Sequence, residues 1–180
     1  MDYLCLELVN SSWYITHKLF IDPMKDSKWL LLLAKKWNMN GLKPPSTLEI
    51  ELLIRQRAVI TALFRKLIEE TTLEASDISA INDYMKDIAY KKKLLLSEDT
   101  YQLTIMPNSL TWDWFMAEVA ASFALLYSSD YRKFLKICEN PDCGWYFIDE
   151  SKNHNRKWCD DTCSTLMKVR RFRQKQKALS

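Results

Sequence analysis

At 180 residues, with 48% apolar and 12% aromatic composition, the chain is long enough to bury one substantial core, which argues against a disordered tail or linker. Two glycines and five prolines set against seven Trp, eight Tyr and seven Phe argue against a turn-rich all-β fold and for long helices with bulky packing. The net charge of +3 is unevenly held: residues 131–180 carry twelve Lys/Arg against six Asp/Glu, whereas residues 1–130 carry fourteen against seventeen, so the basic character belongs to the C-terminal segment.

The start, MDYLCLELV, has an acid at position 2 and no basic run before its short apolar stretch, so no signal peptide or membrane span is expected and the protein reads as soluble and cytoplasmic. Tyr3 to Val9 alternate loosely and are rich in Leu and Val, which predicts a short strand ending in a polar turn at Asn10, Ser11 and Ser12. Asp22 before Pro23, or Asp26 with Ser27, can start a helix through Trp29, Leu33 and Trp37 that Gly41 and two prolines stop. Ser46 and Glu49 form a capping box, and Leu52, Leu53, Val59, Ile60, Leu63, Phe64 and Leu67 recur at helical spacing to about Glu69. Ser76 or Asp77 can cap a third helix carrying Ile78, Ile81, Met85 and Ile88. KKKLLLSEDTYQLTIMP reads as a hairpin around SEDT. Ser109 or Thr111 opens a helix that is apolar nearly all round and belongs in the centre of the fold. Composition shifts near Ser128 to Asp130, which predicts a helical unit over 1–129 and a second unit over 130–180.

Four of the five cysteines fall between positions 138 and 163. Cys138 and Cys143 enclose ENPD, residues that favour a tight turn. Cys159 and Cys163 stand four apart, neighbours on one face of a helix beginning near Asp160. Two thiolates from a turn and two from a helix start can close a tetrahedral S4 site with no open position, the geometry that suits one structural zinc ion. A disulfide pair, unrelated buried cysteines or an iron-sulfur cluster are the alternatives; a reducing compartment and the double pairing favour zinc. His154 lies between the pairs and is read as a residue outside the ligand shell, and Cys5 as a small buried side chain.

Beyond Cys163 the stretch STLMKVRRFRQKQKALS holds six bases and no acid. On a helix, Lys168, Arg171 and Lys175 form one basic stripe and Arg170, Arg173 and Lys177 another, while Leu166, Val169 and Phe172 make an apolar seam expected to pack on the cysteine turn. Outward stripes of this kind suit phosphate contacts, so DNA is the expected partner; a solvated charged face is the plainer alternative.

CENPDCGWYFIDESKNHNRKWC and the following KVRRFRQK resemble the CGNR zinc finger family, and the first 130 residues, beginning DYLCLELVNS, are similar to the ABATE-type domain that usually precedes it in stress-related bacterial transcriptional regulators. The resemblance implies a signal-sensing first domain and a DNA-binding finger. The Gly-Asn-Arg that gives the family its name is Ser164, Thr165 and Leu166 here, so a base contact by that Arg is absent, whereas the four thiols and the basic run remain.

The fold expected is therefore α+β and mostly α: a helical first unit with a short strand and a hairpin, then a small treble-clef-like zinc finger with a basic C-terminal helix. Asn10, Trp13, His17, Arg55 and Arg57 are candidates to line a site for a small-molecule effector. Helices with many apolar and aromatic side chains also admit a homodimer. With two histidines, no glycine-rich phosphate loop and no nucleophile elbow, no enzyme is expected; a zinc-stabilised protein-interaction or RNA-associated module is the competing function.

Overall fold

The computed structural model describes residues 2–17, 20–97 and 100–179 of the chain. The expected strand at Tyr3–Val9 is instead helix α1, Leu4–Asn10. Leu4, Cys5, Leu8 and Val9 are buried, a stripe at helical spacing, while Glu7 turns outward to Lys36 Nζ at 2.8 Å and Trp37 Nε1 at 2.9 Å. Docking that stripe against helices outweighs the β-propensity of Leu and Val. Burial pushes the Cys5 thiol up to about 12, so Cys5 is a core side chain.

Helix α2, Trp13–His17, follows, then a 3-10 turn at Pro23–Lys25 capped by Asp22, and α3, Ser27–Lys36, capped by Asp26. Helix α4, Thr47–Ile68, starts at the expected capping box: the Glu49 amide donates to Ser46 Oγ at 3.3 Å and the Ser46 amide donates to Glu49 Oε2 at 2.6 Å. Helix α5, Ala75–Asp83, is capped by Glu74, with Asp77 reaching back to the Glu74 amide at 2.9 Å. It thus begins and ends earlier than the sequence suggests, leaving Met85 and Ile88 beyond its end.

Strands β1, Tyr90–Ser97, and β2, Thr100–Pro107, pair antiparallel from Tyr90↔Pro107 to Ser97↔Thr100; the turn at Glu98 and Asp99 lies outside the described residues. Helix α6, Trp112–Ser128, capped by Thr111, is buried on nearly every side, with Phe115, Ala117, Val119, Ala120 and Leu126 at its centre. It packs on α1 and α4, and Gln56 Nε2 ties α4 to the Met116 carbonyl at 2.7 Å.

After a 3-10 turn at Asp130–Phe134, strands β3, Leu135–Ile137, and β4, Tyr146–Ile148, form a second antiparallel hairpin. This hairpin is a shared wall. Leu135, Tyr146 and Ile148 join the main core, while Phe147, pointing the other way, packs with Cys138, Cys143 and Cys163. Helix α7, Asp161–Leu179, completes the chain. The architecture is mixed α and β with helix predominating, and among the described residues no helix is long and apolar enough to cross a membrane.

Arg57 of α4 binds Asp22 through both guanidinium nitrogens, Nη1 at 2.8 Å from Oδ1, and also donates to Ser11 Oγ at 2.9 Å. Burial opposes the Asp22 charge, but the Arg57 guanidinium overrides it and holds the carboxyl below the usual range. Arg57→Ala leaves that carboxylate without its partner. The expected cost is about 3 kcal/mol or more, seen as a lower urea midpoint at an unchanged m value.

Candidate metal centre

Asn140 and Gly144 shape the turn that carries the first two thiols. The Cys143 amide donates to the Asn140 carbonyl at 2.9 Å, and the Cys138 amide to the Trp145 carbonyl at 2.8 Å, closing a knuckle at the tip of β3–β4. Gly144 takes φ +69°, a left-handed conformation that costs other residues on the order of 1 kcal/mol and here swings the chain from Cys143 into β4. The second pair sits at the start of α7. Asp160 caps that helix, its Oδ1 accepting from the Cys163 amide at 2.8 Å, so Cys163 lies in the first turn.

The four Sγ atoms lie within 4.8 Å of one another. Cys143 to Cys159 measures 3.6 Å and Cys159 to Cys163 3.7 Å, and all are free thiols. A tetrahedral zinc with Zn–S bonds of about 2.3 Å requires S···S edges of about 3.8 Å, whereas a disulfide requires about 2.05 Å. The quartet therefore fits one structural zinc ion. Charge leads to the same conclusion. Burial opposes ionisation at three of them: it pushes Cys143 up to about 11 and, with the neighbouring Cys143 sulfur, raises Cys159 further, while amide donors from Cys159 and Asn140 overcome it at Cys138 and lower that thiol. Four adjacent thiolates need a divalent cation to coexist.

The surrounding shell is built from residues that spacing alone does not single out. Asn140 Nδ2 donates to Cys163 Sγ at 3.4 Å, and the Cys159 amide to Cys138 Sγ at 3.4 Å. Asp149, wholly buried, accepts from Lys136 Nζ at 2.7 Å, Ser151 Oγ at 2.5 Å and the amides of Ser151 and Arg156 at 3.0 and 2.7 Å. It organises the loop that returns the chain to Cys159. Arg156 bonds the carbonyls of Trp158, at 2.7 Å, and Cys159, with its guanidinium 5.3 Å from the Phe147 ring. His154 is not a ligand: its ring stacks on Phe134, with centroids 3.5 Å apart, and Nδ1 donates to the Asp149 carbonyl at 2.7 Å. The one sequence signal for Asp149 was an acid closing the apolar run YFI.

Helix α7 is oriented differently from expectation. Its inward face is Cys163, Met167 and Arg170, spaced by four and then three, and Arg170 clamps the knuckle through Asp142 Oδ2 at 2.5 Å and Asn140 Oδ1 at 3.3 Å. The apolar seam thus does not pack on the knuckle: Leu166 and Val169 are 40% exposed and Phe172 61%. Lys168, Arg171, Arg173, Lys175 and Lys177 are exposed, with the Arg171 guanidinium 5.6 Å from the Trp158 ring.

The residues considered for an effector site do not all converge. Asn10 is buried and pairs with β4 as a strand would, Nδ2 donating to the Tyr146 carbonyl and Oδ1 accepting from its amide, both at 2.8 Å. Trp13 packs edge-on against Trp145 at 5.7 Å and stacks on His17 at 4.5 Å, while His17 Nε2 meets the Asp142 carbonyl. These three lie together at the seam between the N-terminal helices and the knuckle. Arg57 is held by Asp22, and Arg55 stands exposed on α4.

No curated protein matches the chain. Residues 135–176, which span the β3–β4 hairpin, all four thiols and most of α7, match the family model of the CGNR zinc finger.

Proposed function

We propose that the C-terminal segment binds DNA, and that the protein acts as a transcriptional regulator whose N-terminal helices sense a signal. What carries this reading is the pair of exposed basic stripes on α7, a helix attached at its first turn to the thiol quartet. Zinc, when bound, would supply a structural clamp and no chemistry; Cys163 and Arg170 fix the helix axis relative to the knuckle. Lys168, Arg171 and Lys175 on one stripe, and Arg173 and Lys177 on the other, then reach the phosphates on the two sides of a groove, and Arg170, bound to Asp142, serves as a strut. With Leu166 where the family has Arg, affinity is expected to be mostly electrostatic and weakly sequence-selective.

Duplex binding measured across a salt series tests this. Neutralising about five phosphates gives a log-log slope of about −4.5. Replacing Lys168, Arg171, Arg173 and Lys175 together by Ala, all at exposed positions, is expected to abolish binding while zinc content and far-UV circular dichroism stay unchanged. A flat salt response rules the reading out. The exposed seam of Leu166, Val169 and Phe172 favours a second reading, a zinc-stabilised module that docks on a protein; it predicts no duplex binding and loss of partner binding on Phe172→Ala.

A further inference from the structure

The β1–β2 hairpin leaves one of its faces bare. Because side chains alternate and cross-strand partners share a face, Leu94 and Leu96 of β1 stand with Leu103, Tyr101 and Ile105 of β2. These five are between 63% and 74% exposed. The hairpin is attached at its root, where Tyr90 Oη donates to Glu118 Oε1 at 3.0 Å and the Asn108 amide to the Ala89 carbonyl at 2.9 Å. Among the described residues no strand of it packs extensively on another element. A two-stranded ribbon with an uncovered apolar face is marginal in water, and both its long edges are open to pairing.

We propose that this face is a homodimer interface, two copies packing hairpin on hairpin in opposite directions so that the tip of each covers the root of the other. At the root, Tyr90, Ile105 and Pro107 join Ala121 and Leu125 of α6 around a cleft of about 400 Å3; at the tip, Leu96 and Tyr101 protrude. Projection and hollow thus lie on one face at opposite ends of a ribbon about 25 Å long. A two-fold axis through the Leu94–Leu103 pair lays Leu96 and Tyr101 of each tip over Lys92 and Ile105 of the other copy, at the rim of its cleft, the self-complementarity that an isologous contact requires.

The area points to the same occupant. Five such side chains expose on the order of 500 Å2, at the upper end of what a monomer leaves in water. Adding the cleft and the exposed Leu125 approaches the ~800 Å2 that each partner buries in a standard interface. Charge fits as well: Lys92 is the charged residue of the ribbon on this face and lies off the axis, Lys91 and Lys93 point to the opposite face, and Asp2 and Glu118 line the cleft at the root, away from the axis, so symmetry does not set like charges together.

Sedimentation of the full-length, zinc-loaded chain tests the proposal. At about 10 μM, where a micromolar dimer is well populated, the expected species has twice the 21.3 kDa chain mass. Leu94→Glu with Leu103→Glu is expected to give monomer with unchanged zinc content and far-UV circular dichroism, since both side chains face water in the single chain. Tyr101→Lys, a milder change at the tip, should weaken association at least tenfold, and it carries the test if the double variant fails to fold. A monomeric parent protein, a dimer that survives these substitutions, or assembly beyond two copies through the open edges each overturns it.

Discussion

Cys138→Ser combined with Cys143→Ser is expected to drop bound zinc from one per chain to almost none and to release α7 from its anchor. Structural zinc in small fingers contributes on the order of 10 kcal/mol or more of folding free energy, and little else replaces it here: the cluster around the metal consists of Phe147 and the thiols, with Trp13, Trp145 and Trp158 at its margin. The loss should nonetheless stop at a definite place. Leu135, Tyr146 and Ile148 belong to the main core, and Asn10 holds β4 from the other side, so the hairpin base and α1, α4 and α6 are expected to stay folded. Hydrogen exchange after chelation should accelerate in residues 138–145 and 150–179 while protection in those three helices persists. Uniform protection without metal, or global unfolding, contradicts this partition. Acid should reproduce the effect of chelation, because zinc ligands must be deprotonated and falling pH returns protons to sulfur.

Asp149→Ala is the second large expected effect. The carboxylate is wholly buried and satisfies four donors, among them the Lys136 ammonium at 2.7 Å. Deleting it leaves the amides of Ser151 and Arg156 without their acceptor and removes the charge partner of the Lys136 ammonium, which keeps the His154 and Arg156 carbonyls as acceptors, a change expected to cost about 3 kcal/mol. Burial pushes the Asp149 pKa upward, but Lys136 and the Ser151 and Arg156 donors outweigh it and hold the group well below the usual carboxylate range. A carboxyl whose folded value is depressed stabilises fully above its unfolded value of about 3.9 and loses that contribution as pH falls toward the folded value. The stability gap between the parent protein and Asp149→Asn should therefore be constant near neutral pH and narrow below about pH 4. Taking the difference between two proteins at each pH removes the common effect of zinc release. A gap independent of pH would show that Asp149 acts through shape alone.

Local chemistry made much of this legible from sequence. Ser46 with Glu49, and Thr111, lie next to the amides they cap, so a window of four residues contains the whole interaction. Cys138 and Cys143 flank a turn, and Cys159 and Cys163 are four apart, although Cys159 lies in the bend before α7 and only Cys163 is in its first turn, so the sulfur quartet could be assembled from two short pieces. Where the deciding partner is distant, spacing misleads. Tyr3–Val9 is apolar at nearly every position and carries both periods; only the docking of Leu4, Cys5, Leu8 and Val9 against α4 and α6 selects helix. The Leu166, Val169 and Phe172 seam is a sound amphipathic pattern, but the rotation of α7 is set by Cys163, which must face the metal, and this places Met167 and Arg170 inward and the seam outward. Asp149 with Lys136, Asn10 with Tyr146 and Arg57 with Asp22 pair residues between 13 and 136 positions apart, beyond the reach of any periodicity.

X-ray absorption at the zinc edge, on protein purified without chelators, tests the sulfur site directly. The account requires one zinc per chain with four sulfur neighbours at about 2.3 Å. A shell with nitrogen or oxygen in it, or protein that holds no zinc, contradicts it, and with it the proposed anchoring of the basic helix.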